Sequence, residues 1–298
     1  MSEHIKAVII VVLSGLIWSF GPLVVKNMID PHIYQLPYLI IRGLTVAVII
    51  ATYLIIKEQK KFILNIIEID KVSVIGGLCL TTAMIGFIYS ISNTTAAVTL
   101  FMLALMPFLA SIIALVFINE KISKQNFISM IIAFIGALIM IYASAFSGSL
   151  YGLIMGFISS LGFAAFTVAL RSKSDSKKFY ILVYAGIFCA TISCCLMIIN
   201  SQEIYLPFKN ILLSITHGLL VASGLILFSI GSKHLLSGEL TMLSLLEVVG
   251  GIFWAWLPVL GINEIPSTNT IVGGVVICLA IAMNSYRFDK KRLQNLIR

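Results

Sequence analysis

Two ionisable residues lie inside long apolar runs: Glu247 in "SLLEVVGGIFWAWL" (244–257) and Arg42 in "YLIIRGLTVAVII" (38–50). Together an acid and a guanidinium can hold the amine and carboxylate of a small zwitterion, and the acid alone can carry a proton. Bland roles compete with these. Glu247 can be a protonated packing residue, and Arg42, seven residues into its run, can snorkel to the membrane surface along its stem. In lipid a central charge costs about 2.5–3.5 kcal/mol on insertion scales, so such groups face protein or a water-filled cavity.

Neighbouring residues extend the pattern. With a helix start near 238, Glu247 lies roughly 13–14 Å in, close to the bilayer midplane. At about 100° per residue, Thr241, Ser244, Glu247, Gly251, Trp254 and Pro258 occupy an arc of roughly 140°. A similar face carries Thr95, Thr99, Met102 and Met106. Ser14, Trp18 and Gly21 share a face in the first run, with Ser19 beside them, and Ser159 and Ser160 lie in the sixth. Tyr38 and Thr45 flank Arg42 on one stripe. Tyr89, like Trp18, is placed to close over a ligand or to anchor at the membrane interface. The candidate substrate-binding set is therefore Glu247, Arg42, Trp18, Ser19, Tyr38, Tyr89, Thr99, Ser159, Ser160, Ser244 and Trp254. His217, read as a solvated residue near the start of its run, and Glu239, an acid suited to a helix N-terminus, stay outside it.

The elements that must position these residues are membrane helices. The 298 residues are 60% hydrophobic and 11% charged, against about 45–50% apolar in soluble domains. Ten apolar segments recur, near 5–26, 35–56, 73–92, 95–118, 126–145, 149–170, 180–199, 213–232, 238–261 and 269–287. Each is about long enough to cross a hydrocarbon core of roughly 30 Å. The connections are too short for a soluble catalytic domain. The first segment exceeds a signal-peptide core and is expected to be retained. The fold class is all-α integral membrane protein.

Seventeen of the 20 Lys and Arg residues fall on one side of the alternating loops, leaving Lys26, Arg42 and Lys209 on the other. By the positive-inside rule both termini are cytoplasmic. The net charge of +8 then reports topology and attraction to anionic lipids, with no nucleic-acid partner. The five cysteines (Cys79, Cys189, Cys194, Cys195, Cys278) show no metal or redox spacing and are read as packing residues. No cofactor or metal is expected.

The chain also repeats. A shift of 141 residues aligns "GLIWSFG" (15–21) with "GFISSLG" (156–162), and "GGLCLTTAMIGFIYSIS" with "HGLLVASGLILFSIGSK". "NEKIS" (119–123) meets "NEIPS" (263–267), with Ser123 and Ser267 as N-caps of the following helices and Glu120 and Glu264 in hairpin turns. Residues 1–147 and 148–298 thus read as two five-helix repeats. Five being odd, the second enters from the opposite side, and two inverted copies can alternate between outward-open and inward-open states around a midplane site.

These features resemble the drug/metabolite transporter superfamily and its ten-helix EamA type. The likeness covers nearly the whole chain through "GLIWSFGPLVVKN", "LIIRG", the fourth segment with Pro107, and "SLLEVV" followed by W-x-W, "NEIPS" and "VGGVVI". Val248 departs from the Glu-Pro pattern often found there, so a bend in that segment would fall to Gly250, Gly251 or Pro258. The resemblance implies a transporter of small organic solutes; the retained first segment without a eukaryotic sorting signal fits a bacterial cytoplasmic (inner) membrane, and an amino acid or similar metabolite is the expected cargo. Protons are a second candidate partner and a homo-oligomer an open alternative. The rival readings are an intramembrane enzyme, for which no His-Glu-x-x-His or Gly-x-Ser-x-Gly pattern appears, and a non-transporting receptor or scaffold.

Overall fold

The computed structural model describes residues 2–59, 61–67, 70–142, 149–173, 177–203, 205–257, 265 and 267–286. Glu264, Pro258 and the basic tail from Arg287 lie outside that set. The elements are α1 (Glu3–Trp18), α2 (Gly21–Lys26), α3 (Gln35–Glu58), α4 (Lys61–Ile67), α5 (Lys71–Asn93), α6 (Ala96–Leu103) and α7 (Met106–Ile118). They continue as α8 (Lys124–Ile141), α9 (Leu150–Arg171), α10 (Lys178–Ile199), α11 (Phe208–Gly231), α12 (Ser237–Ser244), α13 (Leu246–Trp256) and α14 (Thr268–Tyr286). Among the described residues no strand occurs. Among the described residues, eight stretches are long and apolar enough to cross a membrane, counting α1 with α2 and α6 with α7 as single stretches. The apolar part of α8 is shorter, and the run from Ser237 to Trp256 is divided at Leu245. The protein is an all-α membrane protein.

Local chemistry explains where helices begin and stop. Ser123 Oγ accepts the Asn126 amide at 3.1 Å and Ser267 Oγ the Thr270 amide at 3.2 Å, so both serines cap as read from the sequence. Pro22 and Pro107 open α2 and α7 from the first turn, where a missing N–H costs nothing. The third break has no proline. At Leu245 the ladder tightens to three-residue spacing, Leu245 N–H to Met242 O at 3.3 Å and Val248 N–H to Leu245 O at 2.9 Å. That corrects the expectation of a bend at Gly250 or Gly251, which lie inside α13. Outside the apolar spans, partial burial alone would raise the Asp70 carboxyl. The Lys173 ammonium at 2.5 Å and hydrogen bonds from Ser73 and Val72 outweigh it and hold Asp70 well below the usual carboxylate range.

Packing joins the two halves throughout. Helix α3 runs along α10, α8 along α14, and α7 against α12. Helix α5 lies on α9 as α1 lies on α11, α5 meets α10 as α11 meets α3, and α6 and α7 meet α9 as α12 and α13 meet α1. The α3/α10 crossing is backbone-close. A β-carbon on Gly43 would stand 2.8 Å from the Gly186 carbonyl oxygen, and one on Gly186 would stand 2.6 Å from the Ala47 nitrogen. In lipid, where apolar burial between helices drives little, such close approach supplies van der Waals contact. Of the cysteines, Cys189 is buried at this crossing while Cys195 is exposed on the outer face of α10, so packing describes the first and not the second.

One end of the bundle is tied by charge. Asn119 ends α7 in the left-handed conformation, and Glu120 follows it. Glu120 Oε1 accepts Arg171 Nε at 2.8 Å and Nη2 at 2.6 Å, while Oε2 accepts the Ser237 amide at 2.9 Å. Arg171 Nη1 donates to the Ser232 carbonyl at 2.6 Å. The acid that would be unfavourable at the end of its own helix thus meets an arginine and the N-terminus of α12. His4 Nε2 and Glu239, 2.9 Å apart, tie α1 to α12 at the same end.

Gly186→Val is expected to destabilise the protein by about 3 kcal/mol or more, read as a lowered thermal midpoint in detergent; an unchanged midpoint would contradict the crossing geometry. Glu120→Gln removes a charge-assisted bond of about 1.5–3 kcal/mol, so hydrogen exchange at the start of α12 should accelerate about tenfold. Unchanged protection of residues 237–244 would show that the ion pair does not hold that end.

Candidate functional site

The three helix breaks, at Ser19–Phe20, Ala104–Leu105 and Leu245, face a common interior space. It comprises about 600 Å³ between atoms, solvent included. Irregular backbone at membrane depth is tolerated where it is buried in protein or lines a cavity. Trp18 and Gly21 flank the first break, Leu103 and Met106 the second, and Glu247 follows the third. Arg42 enters from α3, Met84 and Phe87 from α5, Ser159 and Phe163 from α9, and His217 and Val221 from α11.

The two charged groups separated by 205 positions in sequence therefore share one cavity. Arg42 is 4% exposed and points inward, so it does not snorkel. Its Nη1 donates to the Met84 carbonyl at 3.3 Å, and its Nε is buried with no partner. Glu247 stands in the first turn of α13, where the helix dipole favours a carboxylate. Among the ion pairs of the described residues none joins it to Arg42. Much of the cavity wall is apolar, and Trp18 in it packs edge-on to Phe163 at 5.5 Å and tilted on Phe228 at 5.4 Å.

Of the sequence-derived set, Glu247, Arg42, Trp18 and Ser159 line the cavity. Ser159 spends its proton on the Ala83 carbonyl at 2.9 Å. The others stand behind the wall or away from it. Ser19 accepts Trp254 Nε1 at 2.7 Å and donates to the Leu16 carbonyl, and the Trp254 ring stacks on Phe20 at 4.4 Å, so this pair joins the first break to α13. Thr99 pairs with Ser90 at 2.9 Å, Ser160 donates to the Met102 and Gly156 carbonyls, and Ser244 donates to the Thr241 carbonyl. Tyr89 packs edge-on to Tyr151, outside the cavity lining. Tyr38 is fully buried behind the wall, with its hydroxyl 2.8 Å from His217 Nδ1.

His217 corrects the reading that set it aside. A helix start at 213 made it interfacial, but α11 begins at Phe208, which carries His217 about 13–14 Å inward. It is 2% exposed and lines the cavity beside Gly21. Pro207 and Lys209 fall between the seventh and eighth apolar segments as the sequence divides them. Proline just ahead of a first turn is instead a start signal, and would have placed the histidine correctly. Among the described residues no three His, Cys, Asp or Glu side chains gather to hold a metal ion.

Residues 5–142 match the EamA-like transporter family. Two curated relatives, both described as pseudopaline exporter CntI and from two strains of Pseudomonas aeruginosa, are 22% and 21% identical over 200 residues, covering 66% of this chain and 68% of theirs. A solved crystal structure shares the fold with a TM-score of 0.72 at 15% identity, covering 97% of this chain and 98% of its own. Over residues 5–142, a little under half of its length, the chain is thus similar to the EamA-like transporter family.

Proposed function

We propose that this protein is a secondary transporter of the bacterial inner membrane that moves a small organic solute, carrying both a carboxylate and an amine, by alternating access. The observation that carries this reading is the shared cavity in which Arg42 and Glu247 face the same space without pairing. Two opposite charges left apart inside an apolar bundle are unfavourable, and a zwitterion spanning them relieves both. Arg42 takes the carboxylate and Glu247 the amine.

In this reading ten spans form two inverted halves, residues 1–147 and 148–298, with both termini in the cytoplasm. Support comes from the interhelical contacts, which keep their pattern when each helix is exchanged for its counterpart in the other half. The Glu120–Arg171–Ser237 tie then lies at the cytoplasmic end and closes it in one of the two states. Broken helices at a midplane site are the usual construction of such transporters. The description of the relatives as exporters favours outward movement.

The test is uptake of the twenty labelled L-amino acids into liposomes preloaded with the same unlabelled pool, comparing wild type with Glu247→Gln. Wild type should exchange at least one compound, and the variant should lose about tenfold or more of that flux. Equal flux would remove Glu247 from the site, and no exchange of any compound by wild type would overturn the zwitterion reading.

A further inference from the structure

His217 brings a donor to this cavity, and the direction of its hydrogen bond to Tyr38 settles which ring nitrogen carries the proton. The Tyr38 hydroxyl is fully buried, and among the described residues its hydrogen-bond partner is His217 Nδ1 at 2.8 Å. If Nδ1 carried the proton and donated, the tyrosine O–H would be left without an acceptor, at a cost of about 1–3 kcal/mol. If the tyrosine donates, both groups are satisfied. The neutral ring then holds its proton on Nε2, a tautomer assigned by the network. Nε2 is the ring atom that faces Gly21, where a β-carbon would stand 3.2 Å away, and both residues line the cavity.

Arg42 stands one turn beyond Tyr38 on α3, so the same face of one helix sets both donors. Its buried, unpartnered Nε is a second N–H without an acceptor. We propose that Arg42 and His217 together form a two-pronged carboxylate subsite, with Tyr38 as the positioning residue that turns the His217 N–H toward the cavity. This rests on the transporter reading, because the carboxylate belongs to the solute. A guanidinium with a neutral imidazole carries one positive charge, which matches a single carboxylate whose two oxygens accept both donors. A dianion such as phosphate would leave one charge uncompensated in a low-dielectric space. A carboxamide offers a single uncharged acceptor.

The experiment measures binding apart from transport. Purified protein in detergent is titrated with each of the twenty L-amino acids and with the matching α-carboxamides, reading the rise in thermal midpoint. At least one acid should stabilise wild type at concentrations about tenfold lower than its amide. Tyr38→Phe and His217→Ala should reduce that preference to about threefold or less, while His217→Gln, which keeps an N–H, restores part of it. A preference unchanged in Tyr38→Phe overturns the assignment even if His217→Ala fails to fold. Stabilisation by amides as readily as by acids, or by no acid, also overturns it. Exchange of labelled amino acids in liposomes alongside such a result would leave the transporter reading standing without this subsite.

Discussion

An apolar bundle holds two ionisable side chains, Arg42 and Glu247, on one cavity without an ion pair between them. Each alone is costly in hydrocarbon, and pairing them would fill the space they line. The arrangement is maintained by separate scaffolds. Arg42 belongs to continuous α3, locked against α10 by the Gly43–Gly186 contact, whereas Glu247 begins α13 just past a break. The cavity is what lies between a rigid crossing and an interrupted helix.

The breaks provide the chemistry that continuous helices lack. Where α12 yields to α13, backbone groups leave the four-residue ladder inside protein, and Glu247 gains the favourable end of a new helix. The first break is tied to α13 through Ser19 and Trp254. That bond joins α13 to the break flanked by Trp18 and Gly21. At the far end, Glu120 joins the last residues of α7 to the start of α12, so the segment carrying Glu247 is held at both ends by contacts to the other half. Discrete polar ties of this kind are the contacts that would break and re-form in the proposed alternation.

Much of this was legible in the sequence, because membrane helices advertise themselves by length and composition. Arg42, Glu247 and Trp18, which line the cavity, could be read directly. The stripe drawn through Thr241, Ser244, Glu247 and Trp254 assumed one continuous helix. The break at Leu245 offsets the two pieces, so Ser244 closes on its own helix and Trp254 turns to Ser19. Nothing in the residue types marks that break, since no proline or glycine stands at it. Tyr38 and His217 lie 179 positions apart. Periodicity assigns each a face but says nothing of what it meets, and an error of five residues in a helix start was enough to put the histidine at the surface.

The central claim is that this cavity is reached in turn from both faces of the membrane. The most direct measurement places a single reactive cysteine at Met106, which lines the cavity at the second break, in a background without the five native cysteines. Membrane-impermeant maleimide is then applied to vesicles of each orientation. Labelling from both sides, slowed by a transported amino acid, is the predicted result. Labelling from one side alone, indifferent to every amino acid tested, would contradict alternating access through this site.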